Sequence, residues 1–169
     1  MAIIDGLTAE NQLDVSGLLL VSADSHVSEP GDLWEKRLPV SLRDRAPKFE
    51  TRQEGSGHSA NSLMDNRPGG RDSNFRVGEM SQDGVSGEVL FPTLGLRLYS
   101  LEDARLQEAC FRAYNDWLIE YCSVAPDRLY GIATIAVYDT DIAIEEMRRC
   151  RNAGMVGAMV WQVPHEDLP

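Results

Sequence analysis

The sequence predicts an α/β fold on a parallel sheet, and three observations carry the prediction. Apolar runs of strand length alternate with stretches of helical periodicity between Leu18 and Val163. The first of these runs, Leu18 to Ala23, is broken only by Ser22 and reads as a strand buried on both faces. Right-handed crossovers between such strands give either a doubly wound open sheet or a TIM barrel. The third observation is the ending. A fourth strand is followed by His165-Glu166-Asp167-Leu168-Pro169 with no covering helix, which is odd for an open sheet. A barrel needs eight strands over ~250 residues, so the expected fold is the N-terminal half of a TIM (β/α)8 barrel, about four βα units.

The elements follow in order. Residues 1–17 carry no sustained period and form a lead-in; residues 18–169 are read as one partial barrel domain. Strand one, 18–23, runs directly into Asp24-Ser25-His26-Val27-Ser28-Glu29-Pro30, where Pro30 stops extension. Residues 31–78 are rich in Gly, Pro, Ser, Asn, Asp and Arg and read as a long insertion, with one short helix near 32–37 ended by Pro39. Strand two spans 85–91 and meets Pro92-Thr93. A helix follows, with Ser100 as its cap and Asp103 three residues on. Its core stripe is Leu106, Ala109, Cys110, Ala113, Tyr114, Trp117, Leu118, Tyr121 and Cys122. Strand three covers 129–137, a second helix 140–153 with Gly154 as its C-terminal cap, and strand four 156–163.

Composition excludes several classes of partner. A net charge of −11 and a pI near 4.6 leave no basic footprint for nucleic acid or an anionic membrane surface. The apolar run at 18–21 is too short for a membrane span or a signal-peptide core. Cys110, Cys122 and Cys150 form an odd set without a C-x-x-C pair, so neither a disulfide framework nor a cysteine-built zinc site is suggested, and a reducing cytoplasm fits.

Function in both α/β architectures collects at the C-terminal ends of the strands. Asp24 and His26 fall there. As residues i and i+2 of an extended segment they face the same side, where a carboxylate oxygen and an imidazole nitrogen can converge on one divalent cation. Such N/O ligation suits zinc, and also manganese or iron. The bland reading of an Asp after a strand is a turn or cap. Glu29 is open as a third ligand, an acid or base, or a partner orienting His26. Phe91 and Trp161 end strands two and four, and either could line a pocket; core is favoured for Phe91 and Trp161 is left open. Arg67, Arg71 and Arg76 could reach a substrate carboxylate, with nothing to select among them. His58 and His165 read as solvated surface histidines, and the Arg148-Arg149-Arg151 run as a solvated face balanced by Glu145 and Glu146.

The segment Asp24 to Pro30, followed by Asp32-Leu33-Trp34 and Arg43-Asp44-Arg45-Ala46-Pro47, resembles the opening of the amidohydrolase-related family that includes the aminocarboxymuconate-semialdehyde decarboxylase group. Further blocks match in order: 80–85, Val89-Leu90-Phe91-Pro92-Thr93, Ala113-Tyr114-Asn115-Asp116-Trp117-Leu118, Pro126-Asp127-Arg128-Leu129 and Gly157-Ala158-Met159-Val160-Trp161. The resemblance implies a TIM barrel with one divalent metal, zinc favoured and manganese or iron as alternatives. It implies hydrolysis or non-oxidative decarboxylation of small, often aromatic, carboxylic acids. Asp24 and His26 match the family's first-strand metal motif, which in many relatives is H-x-H, and Glu29-Pro30 match a shared pair of unassigned role. The remaining ligands and the catalytic His and Asp belong to later strands, so this chain alone is expected to be inactive. The implied partners are a small-molecule substrate and, in the full-length enzyme, further copies of itself. The alternative is a self-contained four-stranded α/β binding module without metal chemistry; further His and Asp residues after strand signals downstream would discriminate against it.

Overall fold

A computed structural model describes residues 18–49 and 68–160. Four strands, β1 (Val21–His26), β2 (Gly87–Phe91), β3 (Leu129–Thr134) and β4 (Gly157–Met159), form one sheet in the order β1-β2-β3-β4. Every neighbouring pair is parallel. Consecutive strands lying side by side, joined by helical crossovers, is the winding of a barrel rather than of a doubly wound sheet, whose order reverses at a switch point. The half-barrel expectation is met.

The helices are α1 (Leu33–Arg37), α2 (Ser73–Gln82), α3 (Ala104–Cys122) and α4 (Thr140–Asn152), with tight 3-10 turns at Val40–Arg45, Pro68–Gly70 and Gly95–Ser100. Side-chain caps fix where three of the four start. The Asp72 carboxylate accepts from the Asn74 and Phe75 amides, Asp103 from Leu106, and Asp139 from Asp141 and Ile142. The cap of α3 is therefore Asp103 and not Ser100, whose hydroxyl closes the preceding turn on Arg97 O. Gly154, at φ +98°, ends the turn after α4 in the left-handed region that a side chain disfavours.

Several expectations are corrected. The helix α2, the crossover from β1 to β2, starts inside the insertion 31–78 and runs past its end, and was missed because its apolar residues are few and Phe75 among them is exposed; residues 50–67 of the insertion lie outside the described residues. The first strand begins at Val21 and ends at His26, three residues later than read. Leu18, Leu19 and Leu20 precede the strand and are exposed, and β1 itself is largely exposed, so it is not the strand buried on both faces that was expected. Strand three ends at Thr134 and the described part of strand four at Met159, both shorter than read.

The core lies between the sheet and α3. Leu106, Cys110, Ala113, Tyr114, Trp117, Leu118 and Tyr121 form the buried stripe at three- and four-residue spacing, widened by Gln107, Phe111 and Asn115. Trp34, fully buried, docks α1 on α3 by donating from Nε1 to Cys110 O at 3.1 Å. Asn115 is the polar member of the stripe. Its amide pairs with both backbone groups of Thr134, Nδ2 to the carbonyl at 3.0 Å and Oδ1 from the amide at 2.9 Å, as a neighbouring strand would. Glu146 on α4 accepts from Asn115 Nδ2 and from Arg149, which also pairs with Asp116. Arg149 thus links α3 to α4 rather than standing on a solvated face.

Candidate metal site

The C-terminal ends of β1 and β2 build the site. His26 and Phe91 are register partners there, and the His26 ring lies 6.1 Å from the Phe91 ring, tilted by 40°. Phe91 is half-buried and outside the core cluster, so it flanks the histidine instead of filling the core favoured for it. The β1 register slips between Ser22 and Ser25, which pair with Glu88 and Leu90, so three steps on β1 oppose two on β2. An extra residue of this kind re-aims side chains, and it falls at Ala23-Asp24.

His26 is oriented by its neighbour strand. Its Nδ1 lies 2.8 Å from Pro92 O. A carbonyl only accepts, so Nδ1 carries the proton and Nε2 of the neutral ring keeps the free lone pair. That Nε2 lies 3.8 Å from Asp24 Oδ1. Two ligands each ~2.1 Å from one cation at tetrahedral or octahedral angles sit ~3.0–3.4 Å apart. The gap is a few tenths of an ångström wide, and Asp24, with 88% of its side chain exposed, is free to rotate and close it. The pair therefore fits a divalent cation. Among the described residues no group of three or more His, Cys, Asp or Glu side chains converges on one metal-sized point.

Glu29 lies just past this pair and is 1% exposed. Its carboxylate accepts from Thr93 N at 3.1 and 3.2 Å, Leu94 N at 3.0 Å and Gly95 N at 2.9 Å. Burial pushes the Glu29 carboxyl up from its usual range, opposed by the amide donors of Leu94, Gly95 and Thr93. With both oxygens on the loop after β2, the geometry favours an anchor over a third ligand. Sequence reasoning left this open because the partners are backbone amides more than sixty positions away.

The other candidates are placed as follows. Arg76 on α2 reaches inward, its Nη1 donating to His26 O at 2.8 Å and its Nε pairing with Glu88 on β2. It braces the end of β1 from behind and is not presented to a substrate. Ser28 N donates to Gly70 O at 2.9 Å, pinning the end of the insertion beside the site. Trp161, Arg67, His58 and His165 lie outside the described residues. A cleft of about 920 Å³ sits among α3, α4 and the turn at 40–45, lined by Arg45, Arg105, Glu108, Arg112, Glu145 and others. It contains neither Asp24 nor His26, and we assign it no chemistry, because barrels work at the ends of their strands and not between their outer helices.

Four parallel strands joined by helical crossovers give this chain the fold of part of a TIM barrel of the kind found in amidohydrolases. No family model matches the chain. It is 48% identical over 50 residues to a gamma-resorcylate decarboxylase of Rhodococcus jostii, a match covering 29% of this chain and 15% of that protein. Its fold aligns with an amidohydrolase from Mycobacterium avium subsp. paratuberculosis at a TM-score of 0.68 and 16% identity, over 85% of this chain and 50% of that one. It also aligns with a 5-carboxyvanillate decarboxylase from Novosphingobium aromaticivorans, solved with manganese and 4-hydroxy-3-methoxy-5-nitrobenzoic acid, at a TM-score of 0.61 and 22% identity, over 85% of this chain and 42% of that one. The chain thus spans half or less of the proteins it matches.

Proposed function

We propose that this chain is the N-terminal portion of a metal-dependent decarboxylase acting on a small aromatic carboxylic acid, with Asp24 and His26 as two of the metal ligands. The observation that carries the reading is the fixed His26 ring, whose Nδ1 is held by Pro92 O while Nε2 faces the Asp24 carboxylate. The two curated and solved decarboxylases above support decarboxylation over the hydrolysis that the family also performs. One divalent cation is the proposed cofactor. Zinc is the sequence expectation, and the manganese of the solved decarboxylase makes Mn²⁺ the cation to test first. When bound, the cation supplies a Lewis acid for a substrate oxygen. The chain's own contribution is to hold the two donor atoms, to flank them with the Phe91 ring, and to brace the end of β1 through Arg76. A catalytic site of this type needs three protein ligands and an open position, so the 169-residue chain is inactive in this reading. A cytoplasmic location rests on the three unpaired cysteines; no helix among the described residues is long and apolar enough to cross a membrane.

The test measures bound Mn²⁺ and CO2 release from 2,6-dihydroxybenzoate, on the 169-residue chain and on a chain extended to full barrel length. The extended chain is expected to hold one cation and to release CO2, and Asp24→Ala and His26→Ala each to abolish both. An extended chain that folds but takes up no divalent cation would refute the reading.

A further inference from the structure

We propose that Glu29 is a positioning residue for His26, acting through the peptide unit between Pro92 and Thr93. This rests on the reading of Asp24 and His26 as metal ligands. The Pro92 carbonyl that accepts from His26 Nδ1 belongs to the same planar peptide unit as the Thr93 N–H that donates to Glu29. The carboxylate and the imidazole grip opposite ends of one rigid plane. Glu29 also gathers the next two amides, Leu94 and Gly95, so the plane cannot tilt without breaking several bonds together. A further clamp is the Thr93 hydroxyl, which donates to Val27 O at 2.6 Å, one residue past His26.

The consequence is electrical as well as geometric. A carboxylate on the N–H end polarises the peptide unit and strengthens its carbonyl as an acceptor. That carbonyl then holds the proton on Nδ1, leaving Nε2 as the ligating nitrogen. The arrangement is a carboxylate–histidine–metal relay with one peptide group inserted. The packing leaves it little slack. A Cβ on Gly95 would come within 3.1 Å of Glu29 Oε1 and 2.9 Å of Pro92 Cβ. Capping the short turn at 95–100 does not by itself call for a carboxylate that is 1% exposed, since an exposed Ser or Asp caps as well without the cost of burying a charge.

The test reads the tautomer of His26 in the metal-free full chain by long-range proton–nitrogen correlation on a sample labelled with ¹⁵N-histidine, the signal being assigned by its loss in His26→Gln. The wild type is expected to show the proton on Nδ1. Glu29→Gln places an NH2 donor against the loop amides; it is expected to move His26 toward the Nε2–H tautomer and to weaken Mn²⁺ binding by about 10- to 100-fold. A Glu29→Gln variant that melts earlier yet keeps the wild-type tautomer would show a cap and nothing more, and would overturn the proposal. Glu29→Asp, which keeps the charge but withdraws it by one methylene, carries the same comparison where Glu29→Gln fails to fold. If the wild-type chain shows the Nδ1–H tautomer but no extended form takes up Mn²⁺, the metal reading fails while the tautomer still decides the role of Glu29.

Discussion

Replacing Asn115 by Ala should unfasten the C-terminal end of β3 from the helix layer. Asn115 and Thr134 are both fully buried, so water cannot replace what the amide supplies. The substitution strands the Thr134 N–H, now 2.9 Å from Oδ1, and its carbonyl, now 3.0 Å from Nδ2. Each orphaned buried backbone group costs roughly 1–3 kcal/mol. Glu146 also loses Nδ2 at 2.9 Å but keeps Arg149, so that contribution is small. The sum is about 2–6 kcal/mol, a large fraction of an ordinary domain's stability. Urea unfolding followed by circular dichroism gives the total, and hydrogen exchange at the Thr134 amide locates it. Asn115→Asp sharpens the comparison. It keeps the acceptor for Thr134 N–H but sets a second oxygen against the Thr134 carbonyl and the Glu146 carboxylate, so at neutral pH it should be at least as damaging as Ala. A loss below about 1 kcal/mol for Asn115→Ala, with Thr134 protection unchanged, would refute the view that this side chain stands in for a strand.

Two further predictions concern the helix layer and the insertion. Burial raises the Glu146 carboxyl, but the hydrogen bonds from Arg149 and Asn115 and the charges of Arg149 and Arg112 outweigh it and hold the group below its usual 4.5. A depressed acid contributes stability that is present above the unfolded value and is lost as pH falls through the folded one, so Arg149→Ala should lower stability at pH 7 and flatten its dependence on pH below about 4.5, read from thermal melts across pH. Gly70→Ala would place a Cβ 2.7 Å from Ser28 Oγ and 3.1 Å from Ser28 Cβ, so the Ser28 N–H to Gly70 O bond should open. A cost of about 1–3 kcal/mol is expected from such overpacking, seen as a lowered melting temperature together with faster exchange at the Ser28 amide.

The sequence by itself determined the alternation of strands and helices, the parallel sheet and the half-barrel reading, because these follow from local periodicity and from where Pro and Gly interrupt it. It also marked Asp24 and His26, since two donor types two residues apart at a strand end are visible without knowing what surrounds them. The α2 helix escaped because its sparse apolar residues give little periodicity, while its capping residue Asp72 sits in a stretch already rich in turn formers. What only the tertiary structure decided is what each polar residue touches. Nothing local says that Asn115 serves as a strand for Thr134, that Arg76 braces the His26 carbonyl, or that Glu29 and His26 hold one peptide unit from its two ends. Those bonds join positions 19 to 66 residues apart, and they exist only because the β/α winding brings the ends of β1, β2 and β3 to the same edge of the sheet. Periodicity is a property of neighbours in sequence; hydrogen-bond partners at a strand end are a property of the closed fold.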